Sequence, residues 1–424
     1  MNVLIIYRHF WPDSPPYASM LRSIAKQLVS DGHSVTLVCE QPCYKLTDGQ
    51  SDKAASECID GIQVHRISRF PLWHKTGLVR TVGKLVFPFR AYRYCKAHFK
   101  GEAGFDLVWT ATIPPVIAGA MGLKTARYFS AKFLYHCQDL YPEIAVHMKM
   151  IRPNGLMHRV LKRFEKKTRQ NADYVVSLSE DMKDTIGKLA KPLGRYETIN
   201  NFLLENFNQP VAAEISNQSD VSLFESNDTI NIVFAGNIGQ FQGLDKIVNA
   251  LISLGNEGHA IHLAFMGEGK ALTTIKSLAA GANNITFASH KPFDMALPLI
   301  ANADYGLVSL EPDIYKFAYP SKTLTYLGLA VPLVVVVEPA SQLANTIADN
   351  NLGFFSEGSS EQAISAMFRQ MIAQKASHEV HKQNASDFYE NTCSRDTVLN
   401  RWSALVCDMA LASTNKRSLS GHPQ

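Results

Sequence analysis

Three short segments of this chain hold residue types whose spacing could do chemistry. The first is Phe234-Ala235-Gly236-Asn237-Ile238-Gly239-Gln240-Phe241-Gln242-Gly243-Leu244-Asp245, which runs from an apolar strand pattern through glycines into an amphipathic helix pattern. Glycines let backbone approach an anion closely, and a helix N-terminus offers free amides and a partial positive charge. A diphosphate can be held this way without a metal. The spacing G-x2-G-x3-G is neither the dinucleotide fingerprint nor a P-loop, and a tight strand-to-helix turn would give the same pattern.

The second segment is Tyr319-Pro320-Ser321-Lys322-Thr323-Leu324, followed by residues that reach Pro332. Ser321 is placed to cap a helix that ends before Pro332. Lys322 then falls in the first turn, where the helix dipole disfavours a cation. A phosphate on the same N-terminus would resolve the conflict; an exposed lysine could also tolerate it. The third segment, His136-Cys137-Gln138-Asp139-Leu140-Tyr141-Pro142-Glu143, directly follows a strand pattern. Asp139 or Glu143 could accept a proton or bind sugar hydroxyls there. Equally, Asp139 could cap a helix starting near Tyr141-Pro142.

The elements that would position these segments alternate between short apolar runs and amphipathic stretches, the pattern of α/β layers. Strands are expected at Val3–Tyr7, Ser34–Cys39, Ile62–Ile67, Leu107–Thr110, Phe133–Cys137 and Tyr174–Leu178, with helices at Ser19–Val29, Val116–Tyr128, Gly155–Gln170 and Met182–Leu189. The pattern pauses over Phe202 to Asp228, which is rich in Asn, Ser, Asp and Glu and reads as an interdomain linker. It restarts with strands at Ile230–Ala235, Ile261–Met266, Ile285–Phe287, Gly306–Leu310 and Leu333–Val337. Helices fall at Leu244–Ser253, Ala271–Ala279, Ile364–Gln374 and Thr397–Leu411. Pattern alone thus predicts two successive Rossmann-like doubly wound domains, whose ligands would dock beyond the strands' carboxyl ends and in the cleft between the domains.

Charge is unevenly spread. Residues 61–100 hold nine of the chain's 42 Lys+Arg and none of its 38 Asp+Glu, although the net charge is only +4. Apolar residues interleave with these bases at helical spacing, and Pro88 is expected to break or kink that helix. Arg80, Lys84, Arg90, Arg93, Lys96 and Lys100 could lie on an anionic membrane surface. A solvated helix whose apolar stripe joins the core is the plainer alternative. The charge is local and no recognition module accompanies it, so nucleic acid is not expected as a partner. Lys149 to Arg169, with eight bases and Glu165 alone, could extend the surface.

The 424 residues, 46% hydrophobic and 19% charged, exclude a disordered chain and a small disulfide scaffold. The start lacks a basic signal-peptide region, and no apolar run reaches the ~18 residues of a membrane span. Seven cysteines form no CxxC pair, so neither disulfides nor a metal site is expected, and a cytoplasmic setting fits best.

In their shared order, these segments resemble the family-4 glycosyltransferases of GT-B fold, and within them the bacterial polysaccharide and O-antigen enzymes. The resemblance runs from Met1 to about Leu411 and includes Phe10-Trp11-Pro12, Ile113-Pro114-Pro115, Ile199-Asn200-Asn201-Phe202 and Met266-Gly267-Glu268-Gly269. It implies two Rossmann-like domains facing each other across a cleft. Residues 1–200 would form the acceptor and membrane side, 201–395 the nucleotide-sugar donor domain, with a C-terminal helix over 396–411 packing back on the first domain and a polar tail over 412–424. It implies retaining transfer of a sugar from a nucleotide-diphosphate sugar to a lipid-linked saccharide, with no cofactor. Gly236, Asn237, Gly239, Gln240 and Glu268 would line the donor. Lys322 would neutralise the leaving phosphate, supported by Ser321 and the amides of Thr323 and Leu324, while Asp139 and Glu143 would serve the transfer. No DxD pair occurs, in agreement with metal-independent chemistry.

The sequence also departs from the family pattern. Where many members carry a glutamate pair, E-x7-E, this chain has Phe317 and Thr325, and Gln138 stands where a histidine often precedes the aspartate. Two other readings follow: a catalytically silent GT-B subunit that binds glycan or a partner enzyme, or a sugar-nucleotide epimerase of the same fold. The transferase reading requires the helix tip near Ser321 and the glycine bend at Gly236 to meet at one anion site.

Overall fold

A computed structural model describes residues 1–13, 15–43, 52–69, 78–101, 104–191, 193–204, 223–224, 228–240 and 242–419, with backbone alone for 78–81, 293–294 and 412–419. Most of the 202–228 stretch, Lys75, Phe241 and the side chain of Arg80 lie outside the described residues. The chain divides into two compact units: Met1–Asn200 with Val398–Gln424, and Asn201–Thr397.

The first unit is built on an eight-stranded sheet. Its strands are β1 (Asn2–Ile6), β2 (Ser34–Glu40), β3 (Ser56–Ile59), β4 (Ile62–Ile67), β5 (Leu107–Ala111), β6 (Lys132–Cys137), β7 (Tyr174–Ser177) and β8 (Arg195–Thr198). They lie in the order β3-β4-β2-β1-β5-β6-β7-β8. All pair in parallel except β3 with β4. The order reverses beside β1, which makes the β1–β5 boundary a switch point where a crevice opens. The helices are α1 (Pro16–Ser30), α2 (Leu78–His98), α3 (Ile117–Phe129), α4 (Glu143–His147), α5 (Leu156–Gln170) and α6 (Glu180–Ala190). Helix α2 runs unbroken through Pro88, contrary to the expected break. It lies against α3, with Lys124 over the Tyr92 ring and Lys96 over the Tyr128 ring.

The second unit holds a wholly parallel six-stranded sheet, β11-β10-β9-β12-β13-β14. Its strands are β9 (Ile230–Ala235), β10 (Ile261–Met266), β11 (Ile285–Ala288), β12 (Tyr305–Ser309), β13 (Leu333–Val336) and β14 (Gly353–Phe355). Both faces are covered, so the strands read as continuous apolar runs rather than alternating ones. On β9, Ile232 and Phe234 enter one core and Val233 the other. Helices α7 (Leu244–Asn256), α8 (Leu272–Leu278), α9 (Phe293–Ala301), α10 (Lys322–Gly328), α11 (Gln342–Asn350), α12 (Glu361–Ala373) and α13 (His378–Phe388) connect them. Ser341 and Ser360 cap α11 and α12 by accepting from the amides of Ala344 and Ala363.

The last helix, α14 (Arg395–Leu419), returns the chain to the first unit. Its Trp402 is buried against Trp109 of β5, ring centroids 4.5 Å apart, and against His136 of β6 at 4.9 Å. The helix continues to Leu419, so most of the stretch expected as a loose tail is helical.

Candidate active site

In the second unit, β9 is the strand beside which the order reverses, so the ends of β9 and β12 flank the switch point. Three loops meet there. Gly236 follows β9 at φ +112°, and its amide donates to the Met266 carbonyl at 2.9 Å. The loop after β10 runs alongside: Ile238 donates to the Glu268 carbonyl at 2.8 Å and accepts from Ala271 at 3.1 Å. This backbone-to-backbone contact explains two glycines. A Cβ on Gly267 would sit 1.9 Å from the Gly236 carbonyl oxygen, and one on Gly269 would sit 2.1 Å from that of Ile238. Gly236, Asn237 and Gln240 are exposed, as is the Glu268 side chain, while the space a Gly236 Cβ would take is open. Gly239 donates its amide to Gln242 at 2.9 Å, holding the bend ahead of α7.

Helix α10 supplies the third part. Tyr326 accepts from the Ala235 amide at 2.9 Å and donates to the Val233 carbonyl at 3.3 Å, which ties α10 to the end of β9. One turn earlier, Lys322 places Nζ 3.2 Å from the centroid of the Phe234 ring. The first turns of α10 are therefore packed against the end of β9, directly before the glycine bend. The Lys322 ammonium is buried and has no hydrogen-bond partner among the described residues, and the neighbouring Thr323 hydroxyl is in the same condition. Burial pulls the lysine down from 10.5 to about 7. The Phe234 face offers partial compensation, on the order of 0.5–2 kcal/mol. A buried cation without an acceptor is costly, and an anionic oxygen brought to this site would satisfy it.

Two expectations for this helix are corrected. Ser321 makes no capping bond: at φ −58°, ψ −26° it is already helical rather than in the extended conformation of a capping residue. The amides of Thr323 and Leu324 donate to the carbonyls of Pro320 and Ser321, each at 3.1 Å, so they are engaged in the turn rather than held open for an anion. The cation, not the amides, is the unsatisfied group. The structure also adds a residue that the motifs missed. Glu311, just beyond β12, has Oε1 3.4 Å from where a Gly243 Cβ would stand. Its only signal in sequence was its place after the apolar run Gly306–Leu310.

In the first unit, Asp139 lies in the loop after β6, beside the β1–β5 switch point. Helix α4 begins at Glu143 with Pro142 as its cap and no side-chain capping bond, so Asp139 is not a helix cap. Burial raises its carboxyl from 3.8 to about 6. The loop is held from beneath. Arg169 donates to the Tyr141 carbonyl at 2.9 Å and to Glu165 at 3.0 Å, and Glu165 accepts from the Tyr135 hydroxyl at 3.0 Å. One oxygen of Glu143 is buried beside this network without a partner. His136 is part of the core rather than of the loop. It bonds Tyr17 and Gln138 at 2.9 Å each, and burial lowers it to about 3, so it is neutral.

A further group assembles from loops thirty residues apart. His9, Asp13 and Cys43 bring metal-ligand atom types within 4.8 Å of one another. Both Asp13 oxygens accept from the Cys43 amide, at 3.0 and 3.1 Å, and His9 lies 2.9 Å from the same carboxylate. Burial pushes the Cys43 thiol up to about 12, so it is protonated. The set acts here as a clamp between the loops that follow β1 and β2. Nearby, Arg90 is half-buried, donating to Glu40 at 3.3 Å and to the Ser68 carbonyl at 2.7 Å. It therefore stabilises the loops rather than serving as a surface base, because Glu40 is a buried carboxylate that needs its partners. Lys84, Arg93, Lys96 and Lys100 are exposed.

Residues 17–201 match the glycosyl transferase 4-like domain. The chain is 23% identical to the Pseudomonas aeruginosa protein described as probable glycosyltransferase WbjE over 316 residues, 73% of this chain and 76% of that one. It is likewise 23% identical to the Escherichia coli K12 protein described as putative colanic acid biosynthesis glycosyl transferase WcaI over 300 residues, 68% of this chain and 71% of that one. Among solved structures, Anabaena HepE in complex with UDP superposes with a TM-score of 0.66 at 12% identity, covering 96% of this chain and 100% of that one. A domain match over residues 17–201, relatives matched over 73% and 68% of the chain and a structural likeness over nearly its whole length point one way: this chain is similar to glycosyltransferases that carry the glycosyl transferase 4-like domain, and its fold is GT-B.

Proposed function

We propose that this protein moves a sugar from a nucleotide-diphosphate sugar bound on the second unit to a lipid-linked saccharide acceptor served by the first, in surface-polysaccharide assembly. The observation that carries the reading is the buried ammonium of Lys322, without a hydrogen-bond partner among the described residues, against Phe234 on the strand that leads into the Gly236 bend. A diphosphate resting against Gly236, Asn237 and Gly239 would satisfy it and would restore its proton. As the bond to the sugar breaks, negative charge grows on the leaving phosphate, and a cation already held in a dry site stabilises that charge without reorganising. Gln240, Glu268 and Glu311 would contact the nucleotide or sugar. UDP in the HepE complex supports a nucleotide donor, and the colanic acid relative supports polysaccharide assembly.

Transfer with retention follows from the family resemblance, and metal independence from the absence of a DxD pair in the sequence. On the first unit, Asp139 would accept hydrogen bonds from acceptor hydroxyls, with its loop fixed by Arg169. The exposed bases Lys84, Arg93, Lys96 and Lys100 would meet an anionic membrane surface from the cytoplasmic side. Phe317 and Thr325, standing where a glutamate pair is common, favour a second reading in which the chain binds nucleotide but does not turn over. A thermal-shift screen of uridine, guanosine and thymidine diphosphates, followed by transfer assays with the matching nucleotide sugars, tests both. Stabilisation by one diphosphate with turnover supports the transferase, stabilisation without turnover on any acceptor extract supports the silent subunit, and no stabilisation rejects both.

A further inference from the structure

Helix α5 carries an apolar face that nothing in the described residues covers. Leu156 is 80% exposed, Met157 60%, Val160 42% and Phe164 54%, and Met150 in the preceding turn is 68% exposed. Large apolar side chains exposed singly are ordinary; a contiguous set is not. At about 100° per residue, the four helical ones fall within a sector of roughly 100°. The adjoining sector on one side holds Glu165, Thr168 and Arg169, which are buried against the sheet. The sector on the other side holds Arg159, Lys162, Arg163 and Lys166, all exposed, while the exposed Lys167 falls within the angles of the apolar strip, one turn past Phe164. The helix thus has three strips in order: one packed on the protein, one bare and apolar, one basic. The only acid from Met148 to Arg169 is Glu165, and it is turned inward.

We infer that α5, with the turn that begins at Met148, is an interfacial anchor that lies along an anionic bilayer, with Leu156, Met157, Val160 and Phe164 among the acyl chains and the basic strip against the lipid phosphates. Charge complementarity singles out this occupant. A protein partner would cover the apolar strip with no need for seven exposed bases between residues 149 and 167, whereas each base near an anionic leaflet adds about 1 kcal/mol of attraction. Among the described residues no helix is long and apolar enough to cross a membrane, so shallow insertion is the mode open to this unit. Helix α3, which carries the exposed Lys124 and Arg127, lies between α5 and α2 in one row. The basic surface therefore continues from α5 toward the bases of α2. The inference deepens the membrane part of the proposed function and moves the insertion point away from α2.

The test uses the full chain and sedimentation with vesicles of phosphatidylglycerol and phosphatidylethanolamine, against vesicles of phosphatidylcholine alone. The unaltered protein should bind the anionic vesicles and lose binding at high salt. The triple variant Met157→Ser, Val160→Ser, Phe164→Ser alters only exposed positions and should lower the vesicle partition at least about tenfold. Lys84→Gln with Lys96→Gln on α2 should lower it by less. Equal partition of the triple variant and the unaltered protein would overturn the inference. So would a light-scattering mass that falls from dimer to monomer in the triple variant, since the strip would then be a subunit interface. Nucleoside-diphosphate stabilisation, measured on the same samples, separates the two proposals: its absence rejects the donor site and leaves the vesicle result standing.

Discussion

At the end of β9 a buried ammonium, Lys322, stands over an aromatic ring with no acceptor; at the end of β6 a buried carboxyl, Asp139, is held in a loop pinned by Arg169. Burial pulls the lysine down to about 7 and pushes the carboxyl up to about 6. Each site is thus biased toward its neutral form while empty, and each would be charged again by its own kind of ligand. The first suits a phosphate, and the second suits hydroxyl donors. On the proposed function the two sites would serve different halves of one reaction, the first at the β9 switch point and the second in the loop after β6.

The strongest way to break this comparison is Lys322→Met. It should lower transfer by about a hundred- to a thousandfold, the range for loss of one preorganised charge partner, while far-ultraviolet circular dichroism stays unchanged. Unaltered turnover would remove the lysine from the mechanism. Next in size is Gly267→Ala, whose Cβ would clash with the Gly236 carbonyl. It should cost about 2–4 kcal/mol of stability and abolish diphosphate binding, both read by thermal shift. Asp139→Asn should lower transfer about ten- to a hundredfold. It should also stabilise the protein above pH 6. Between about 4 and 6 the native carboxyl keeps a proton that the unfolded chain has lost, so stability falls as pH rises through that window, and the amide escapes the loss. A variant no more stable than the parent at pH 8 would mean the site readily accommodates the charge.

The smallest effect sharpens the lysine side. Between about 7 and 10.5 the unfolded chain holds a proton on Lys322 that the empty native site does not, so that contribution to stability rises with pH over this window. A diphosphate reverses the preference. Calorimetry of UDP binding at pH 8 in buffers of different ionisation enthalpy should report uptake of up to about one proton. Lys322→Met should take up none.

Much of the frame was legible because buried parallel strands are unbroken apolar runs; Ile230–Ala235 and Ile261–Met266 could hardly be read otherwise. The elements that escaped notice lack that signal. Strands Ser56–Ile59 and Arg195–Thr198 sit at sheet edges with polar sequences, Gly353–Phe355 is three residues long, and helix Phe293–Ala301 contains Pro298. At the site, Lys322 and the glycines could be singled out by type and spacing. Glu311 could not, because its importance lies in standing against Gly243, far away in the chain. Nor could the clamp of His9, Asp13 and Cys43, which spans two loops.

What the amino-acid order decides alone is local: where runs are apolar on both faces, where glycine relieves the backbone, and where bases gather without acids. Tertiary structure decides which groups lose water and which find partners. Arg90 turned inward to Glu40, Ser321 gave up its capping role, and the apolar side of α5 was left bare. Burial and pairing depend on segments distant in sequence, and charge state follows from them; for that reason the lysine's unsatisfied ammonium could be located only once β9 and α10 were seen side by side.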